Sequence, residues 1–303
     1  MRILVIYNPH AGAKRAEKLF PQVKAYCEEK GLDATFKLTE YPGHAVELAS
    51  RTNLAGYDAI VASGGDGTLY EVINGYYLNN TKLKPPIGLI PNGTGNAFMK
   101  EMELTKDDWQ KAIDIIAGNK VRMVDICRYV ADNQQLHFVN VMGTGFIANV
   151  AQLAIPFKWM GNAAYTVATL LKLFLLKSQK VEVIIDGEHS ERDSIFIELA
   201  NSRFTGTTFL IAPKAKIDDG KLDIVILNKI SRFRLLKLFT TIYDGSHINA
   251  PEIEYIQAQK VAIKESKPGP LVPDGEILGK TPVSVECLQK DLAFLWPTHD
   301  GQG

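Results

Sequence analysis

Ser63-Gly64-Gly65-Asp66-Gly67-Thr68 decides how this chain is read. It follows the short apolar run Ala59–Ala62 and precedes Leu69, Val72, Ile73 and Tyr76, spaced i, i+3, i+4 and i+7. That spacing is one face of a helix, so the stretch is a strand-to-helix turn. Gly64, Gly65 and Gly67 permit positive φ and carry no side chain, so backbone N–H groups can approach phosphate oxygens. The helix N-terminus adds favourable dipole charge for an anion. A carboxylate in such a loop repels phosphate unless a cation intervenes, so Asp66 reads as acting through Mg²⁺. A plain tight turn capped by Asp66 would explain one or two glycines, but not all of them together with Thr68.

Two further turns extend the pattern outward. Asn8-Pro9-His10-Ala11-Gly12 follows the apolar run Ile3–Tyr7, and Pro91-Asn92-Gly93-Thr94-Gly95-Asn96 follows Ile87–Ile90. With Thr35–Leu38 these runs alternate with helical patterns, one expected over Lys14–Lys30 with a kink or restart at Pro21. Such alternation predicts an α/β domain with a mostly parallel sheet covered on both faces. Ligands of such sheets bind at the strand ends, where all three turns fall. Gly93-x-Gly95-x-x-Phe98 lacks the third glycine of a dinucleotide fingerprint, which disfavours a Rossmann dehydrogenase.

After Asp125 the rhythm changes. Phe138–Met142, Val181–Ile185, Ile195–Leu199, Leu222–Leu227, Lys260–Ile263 and Val283–Glu286 read as successive strands. Asp186-Gly187, Asp219-Gly220 and Asp274-Gly275 supply turns between them. The expectation is an antiparallel β-sandwich domain interrupted by helices near Gly161–Leu176 and Arg232–Ile242. Domain boundaries are set at 1–125 and 126–288. The boundary has no flexible linker, so the domains are expected to pack around a cleft.

Composition narrows the class. The 303 residues are 46% hydrophobic and 22% charged, with zero formal net charge, so bulk charge gives no reason to expect nucleic acid. Cys27, Cys127 and Cys287 are widely spaced and read as buried thiols of a cytoplasmic protein. The run after Met1-Arg2 is too short for a signal-peptide core, and the apolar stretch Ala163–Leu176 is shorter than the ~20 residues of a membrane span. No Cys/His cluster suggests zinc, and no Gly-x-Ser-x-Gly elbow suggests a serine hydrolase.

Asn8-Pro9-x-Ala11-Gly12, Gly64-Gly65-Asp66-Gly67-Thr68 and Gly93-Thr94-Gly95-Asn96 together resemble the catalytic domain of diacylglycerol kinases and their sphingosine-kinase relatives. The resemblance continues through Ala212-Pro213-x-Ala215-x-x-Asp218-Asp219-Gly220 and Asp274-Gly275-Glu276, and covers nearly the whole chain. The first motif set is shared partly with NAD kinases and phosphofructokinases. The resemblance implies a NAD kinase/diacylglycerol kinase-like fold whose C-terminal segment, 289–303, returns to the first domain. It implies ATP with its phosphates against Asn8, Gly64, Gly65, Gly67 and Thr68, in the company of Pro9, Ala11, Gly12, Gly93, Thr94 and Asn96. Thr39 and the Gly43-His44-Ala45 turn fall where the family also contacts nucleotide. Asp66 and Asp125 would join a Mg²⁺-water network, and Glu276 would match the general base. A separate structural metal would use Asp219 with the backbone of Lys216 and Lys221. One departure stands out: Ala97 occupies a position where diacylglycerol kinases usually carry Asp, which leaves a sphingoid-like or other lipid alcohol open.

Two acid-free stretches suit an anionic bilayer, where a lipid substrate would be taken up. Asn133–Val181 carries Lys158, Lys172, Lys177 and Lys180 with Phe157 and Trp159; Ile224–Tyr243 carries Lys229, Arg232, Arg234 and Lys237. Core helices with snorkelling cations are the alternative. The implied protein is a peripheral, membrane-touching kinase of a lipid hydroxyl, and a homodimer is compatible with it. A kinase of a soluble acceptor such as NAD, and a non-catalytic lipid or nucleotide binder, remain the competing readings.

Overall fold

A computed structural model describes residues 1–82, 84–145, 178–206 and 208–298. The chain divides into two compact units, Met1–Val124 with Lys290–Gly303, and Asp125–Gln289.

The first unit alternates as its apolar runs dictate. In order come β1 (Arg2–Tyr7), α1 (Ala11–Glu29), β2 (Asp33–Leu38), α2 (His44–Arg51), β3 (Ala59–Gly64), α3 (Asp66–Leu78), β4 (Ile87–Pro91) and α4 (Trp109–Gly118). The strands lie side by side as β4-β3-β1-β2, all parallel, with Leu4 opposite Thr35 and Ile60. β3 and β4 are buried along their whole length, as strands covered on both faces must be. On one face Ile3, Val5, Val61 and Ile90 pack against Val23 and Cys27 of α1 and Ile113 and Ile116 of α4. On α3 the predicted stripe Leu69, Val72, Ile73 and Tyr76 is buried. Gly75 lets α3 meet α2 closely, because a Cβ there would sit 2.5 Å from the Val46 carbonyl oxygen.

The break in α1 is not at Pro21. Gly12, Ala13 and Lys14 take left-handed torsions, φ 60°, 53° and 70°, and the non-helical torsions are confined to them. A left-handed conformation costs an L-residue roughly 1–2 kcal/mol, so this turn stores energy next to Asn8-Pro9.

The second unit is antiparallel. Its strands are β5 (Val121–Ala131, which starts in the first unit), β6 (Gln134–Phe138), β7 (Val141–Gly143), β8 (Gln179–Ile185), β9 (Glu188–Ala200) and β10 (Leu222–Asn228). After the helix α5 (Arg232–Phe239) come β11 (Ile253–Ala258), β12 (Lys260–Glu265), β13 (Val272–Pro273) and β14 (Val283–Leu295). They run in the order β11-β10-β9-β8-β12-β14, with β7 joining β9 to β13 and β5 paired with β6. The chain returns to the first unit within β14, whose Phe294 pairs in parallel with Ile87.

The expected strand Phe138–Met142 is in fact two, broken at Val139-Asn140. The reason is chemical: the N–H groups of Val139, Asn140 and Val141 donate to the Asp274 carboxylate. The expected helix at Arg232–Ile242 is α5 with a 3₁₀ turn at Thr240–Ile242, capped by the Ser231 hydroxyl, which accepts from the Arg234 N–H. The helix expected at Gly161–Leu176 lies outside the described residues. No helix among the described residues is long and apolar enough to cross a membrane. All three cysteines are buried and free.

Candidate functional site

In the first unit the glycine turns meet each other backbone to backbone. Gly93 N–H and Asn92 N–H both donate to the Gly64 carbonyl at 3.0 Å, and Asp66 N–H donates to the Gly95 carbonyl at 3.0 Å. A Cβ on Gly93 would lie 2.3 Å from Gly65 Cα, and one on Gly65 would lie 2.6 Å from the Gly95 oxygen. These glycines are therefore required by loop-to-loop contact, besides any ligand. Asn8 joins the cluster at the end of β1. Its N–H donates to the Ser63 carbonyl, its Nδ2 donates to Thr68 Oγ1 at 3.1 Å, and its Oδ1 accepts from His10 N–H. Gly12 passes so near the third turn that a Cβ would lie 2.5 Å from the Asn92 oxygen. Asn96 Nδ2 donates to the Gly93 carbonyl, while Thr94 at the tip is exposed. Asn8, Pro9, Ala11, Gly12, Gly64, Gly65, Gly67, Thr68, Gly93, Thr94 and Asn96 thus fall in one loop cluster at the C-terminal ends of β1, β3 and β4. No side chain caps α3. Its Asp66 N–H donates to the Gly95 carbonyl instead, and a helix N-terminus of this kind favours negative charge.

Asp66 is tied inward. Its carboxylate accepts from the Ala97 N–H at 2.8 and 3.0 Å, so it staples the third turn to the start of α3. Burial pushes its pKa up to about 6, against the lowering effect of the Ala97 and Phe98 N–H groups and of Lys100. That carboxylate can contribute to a Mg²⁺ site through water or a freed lone pair. Thr39, buried at the end of β2, is placed by its N–H on the Tyr7 carbonyl. In the Gly43-His44-Ala45 turn, the Gly43 and Ala45 N–H groups already donate to Glu71 at 2.9 and 3.1 Å. Glu71 thereby caps α2, a role sequence reading missed because Glu71 sits on a different helix.

In the second unit Asp125 is fully buried. Its Oδ2 accepts from the Gly220 N–H at 2.6 Å, and its own N–H donates to the Ile217 carbonyl. It holds the Asp218-Asp219-Gly220 loop. Asp219 Oδ1 accepts from the Lys221 N–H at 3.1 Å, and its Oδ2 accepts no hydrogen bond among the described residues. Asp219 is a half-exposed carboxylate with the Lys221 backbone against it, an oxygen donor of the kind that Mg²⁺ or Ca²⁺ favours. Among the described residues no cluster of three His, Cys, Asp or Glu could hold a metal. Asp66 and Asp125 belong to different units, each engaged by backbone of its own unit.

Glu276 closes a tight turn. Its N–H donates to the Pro273 carbonyl at 2.8 Å, with Asp274 and Gly275 at φ 46° and 85°. Positive φ at both central residues is what a primed turn demands. Asp274 makes this turn rigid, since its buried carboxylate accepts three backbone N–H groups. The Glu276 side chain is left exposed at the turn's end. The Asp-Gly-Glu signal was visible in sequence; the anchoring function of its aspartate was not.

The first unit gathers its small-residue turns into one loop cluster, and the second presents Glu276 on a turn anchored by Asp274. Residues 2–129 match the diacylglycerol kinase catalytic domain family, and residues 140–296 match the YegS C-terminal NAD kinase beta sandwich-like domain. The chain is 30% identical over 305 residues to a diacylglycerol kinase of Bacillus subtilis (strain 168), covering 99% of this chain and 98% of that protein. It is 27% identical to sphingosine kinase 1 of Arabidopsis thaliana, covering 96% and 71%. A crystal structure of a diacylglycerol kinase from Bacillus anthracis str. Sterne shares the fold with TM-score 0.73 at 20% identity, covering 98% of this chain and 97% of that one. Another from the same organism superposes with TM-score 0.81 at 22% identity, covering 98% and 95%. The chain belongs to the diacylglycerol kinase family, a family of lipid kinases.

Proposed function

We propose that this protein transfers the γ-phosphoryl group of ATP to the hydroxyl of a lipid such as diacylglycerol or a related lipid alcohol. The observation that carries this reading is the pair of fused glycine loops at an uncapped helix start, together with the Asp274-anchored Glu276 turn. The first unit binds the phosphates through loop N–H groups and Thr68. Mg²⁺, when bound, neutralises phosphate charge, as phosphoryl transfer requires. Glu276 takes the proton of the acceptor hydroxyl as its oxygen bonds to phosphorus and the bond to the departing ADP oxygen breaks. Asp66 and Asp125 hold their loops in the arrangement that receives nucleotide and metal.

The test is Mg²⁺-dependent transfer of labelled phosphate from ATP. The acceptors are diacylglycerol, monoacylglycerol, sphingoid base and ceramide in mixed micelles, with NAD as soluble control. Labelling of a lipid supports the reading, and labelling of NAD alone sinks it.

Membrane contact belongs to the same proposal. On α5 Phe233 is 87% exposed, beside exposed Leu236, Arg232 and Lys237, while Leu235 and Leu238 face the core. Arg234 is committed to Glu252 at 2.9 Å. An apolar tip ringed by cations fits an anionic bilayer. The Asn133–Val181 candidate lies mostly outside the described residues. Phe233→Asp should weaken sedimentation with anionic vesicles about tenfold or more, from lost apolar burial and added repulsion. Unchanged sedimentation would remove α5 from the membrane contact.

Asp219→Ala should lower the melting temperature in Mg²⁺ by a few degrees, roughly the effect of losing one bound ion, and abolish any shift on adding chelator. Equal melting of wild type in metal and in chelator would dismiss the structural metal.

A further inference from the structure

Glu198 is 1% exposed in the middle of β9. Among the described residues no donor or cation partners its carboxyl group, and burial alone pushes its pKa up to about 8. A buried polar group without a partner is costly, and leucine would fill similar space without that cost.

The sheet register shows where this group points. Val225 pairs with Glu198, Glu198 with Gly143, and Gly143 with Val272, so the four share one face in a row across β10, β9, β7 and β13. Gly143 has no side chain to fill its place in the row. A Cβ built there would lie 3.1 and 3.3 Å from the two Glu198 carboxyl oxygens. The carboxyl group therefore leans over Gly143 toward β13, and β13 runs straight into Asp274-Gly275-Glu276. On the other side Phe196, Ala200 and Val225 pack in one apolar cluster with Leu235 and Leu238 of α5. An acid thus sits between an apolar cluster under the membrane-facing helix and the strand that carries the proposed general base.

We propose that Glu198 determines acceptor specificity by receiving a second hydrogen-bond donor, a hydroxyl or an amine, carried next to the hydroxyl that is phosphorylated. The inference rests on the lipid-kinase reading above. A carboxyl group offers mainly acceptor sites, so a ligand satisfies it by bringing donors. Monoacylglycerols and long-chain amino alcohols carry such a donor beside the reacting hydroxyl. In diacylglycerol the neighbouring oxygen is esterified and gives none.

The test compares monoacylglycerol, sphingoid base and diacylglycerol of matched chain length in the same mixed micelles, using the full chain. Wild type should favour the donor-bearing acceptors. Glu198→Leu should lower their kcat/KM about 10- to 100-fold, the range for a hydrogen bond to a charged or buried group, chiefly through KM. Diacylglycerol turnover and ATP affinity should stay within about twofold, since neither uses the lost acceptor. Glu198→Gln keeps a carbonyl acceptor but cannot ionise to meet a cationic donor. It should restore monoacylglycerol more than sphingoid base if the natural donor is an amine, and both alike if it is a hydroxyl. A melting temperature equal to or above that of wild type would show that the Leu variant is folded; if it is not, the Gln variant carries the comparison. Equal losses on all acceptors, no loss on any, or a wild-type preference for diacylglycerol would overturn the proposal while leaving the lipid kinase intact. Labelling of no lipid by wild type would overturn the lipid-kinase reading itself.

Discussion

Glu276→Gln should lower kcat by about 10²- to 10⁴-fold, the usual worth of a positioned general base, with ATP affinity held within about twofold. The substitution keeps shape and removes only the capacity to take a proton. Nothing in the turn depends on the charge: the Glu276 N–H on the Pro273 carbonyl and the three bonds to Asp274 involve backbone and a different side chain. The folded state should therefore melt as wild type does. Single-turnover transfer separates chemistry from product release. Retained turnover with a bound lipid would remove Glu276 from the proton path and leave it a surface residue of a turn.

Asp274→Ala should be worse in kind, because it acts on the fold as well as on the chemistry. The carboxylate accepts from Val139, Asn140 and Val141 at 3.0, 2.8 and 3.2 Å, and Asp274 is 7% exposed. Alanine leaves three N–H groups without partners in a largely dry environment. Each unsatisfied group costs about 1–3 kcal/mol, and partial relaxation brings the total to about 3–5 kcal/mol. Alanine also tolerates φ 46° less well than aspartate does, since the short polar side chain is favoured in that region. Denaturant unfolding should show the loss directly, and turnover should fall because the loop that aims Glu276 is no longer fixed. Asp274→Asn, which keeps one acceptor oxygen but turns an amide toward the donors, should fall between alanine and wild type. Wild-type stability in the alanine variant would mean that water replaces the carboxylate, and the anchoring role would fail.

The two carboxylates of this turn illustrate how far the sequence reaches. The Asp-Gly pair announces a turn because those residues tolerate positive φ, and a local rule is enough to see it. That the aspartate breaks the strand Phe138–Met142 depends on a partner far away along the chain, which no local rule reaches. Glu71 is similar: on α3 it reads as a solvated helix residue, yet it caps α2. Glu198 lies within an otherwise strand-like run and draws no notice until the register sets it over Gly143.

By itself the sequence determined the alternation of strands and helices in the first unit, the change of rhythm after Asp125, the buried stripe of α3 and the three small-residue turns. These follow from period, apolar content and backbone freedom, which are properties of neighbouring residues. It also placed the break of α1 wrongly at Pro21, because a proline can be accommodated in a helix while a left-handed turn at Gly12–Lys14 is set by what packs around it. Only the tertiary structure decided why Gly65 and Gly93 must both be glycine, which buried acid is anchored and which is left without a partner. Those outcomes depend on distances between residues far apart in sequence, and a backbone contact or a lone carboxyl group exists only once the strands have found their register.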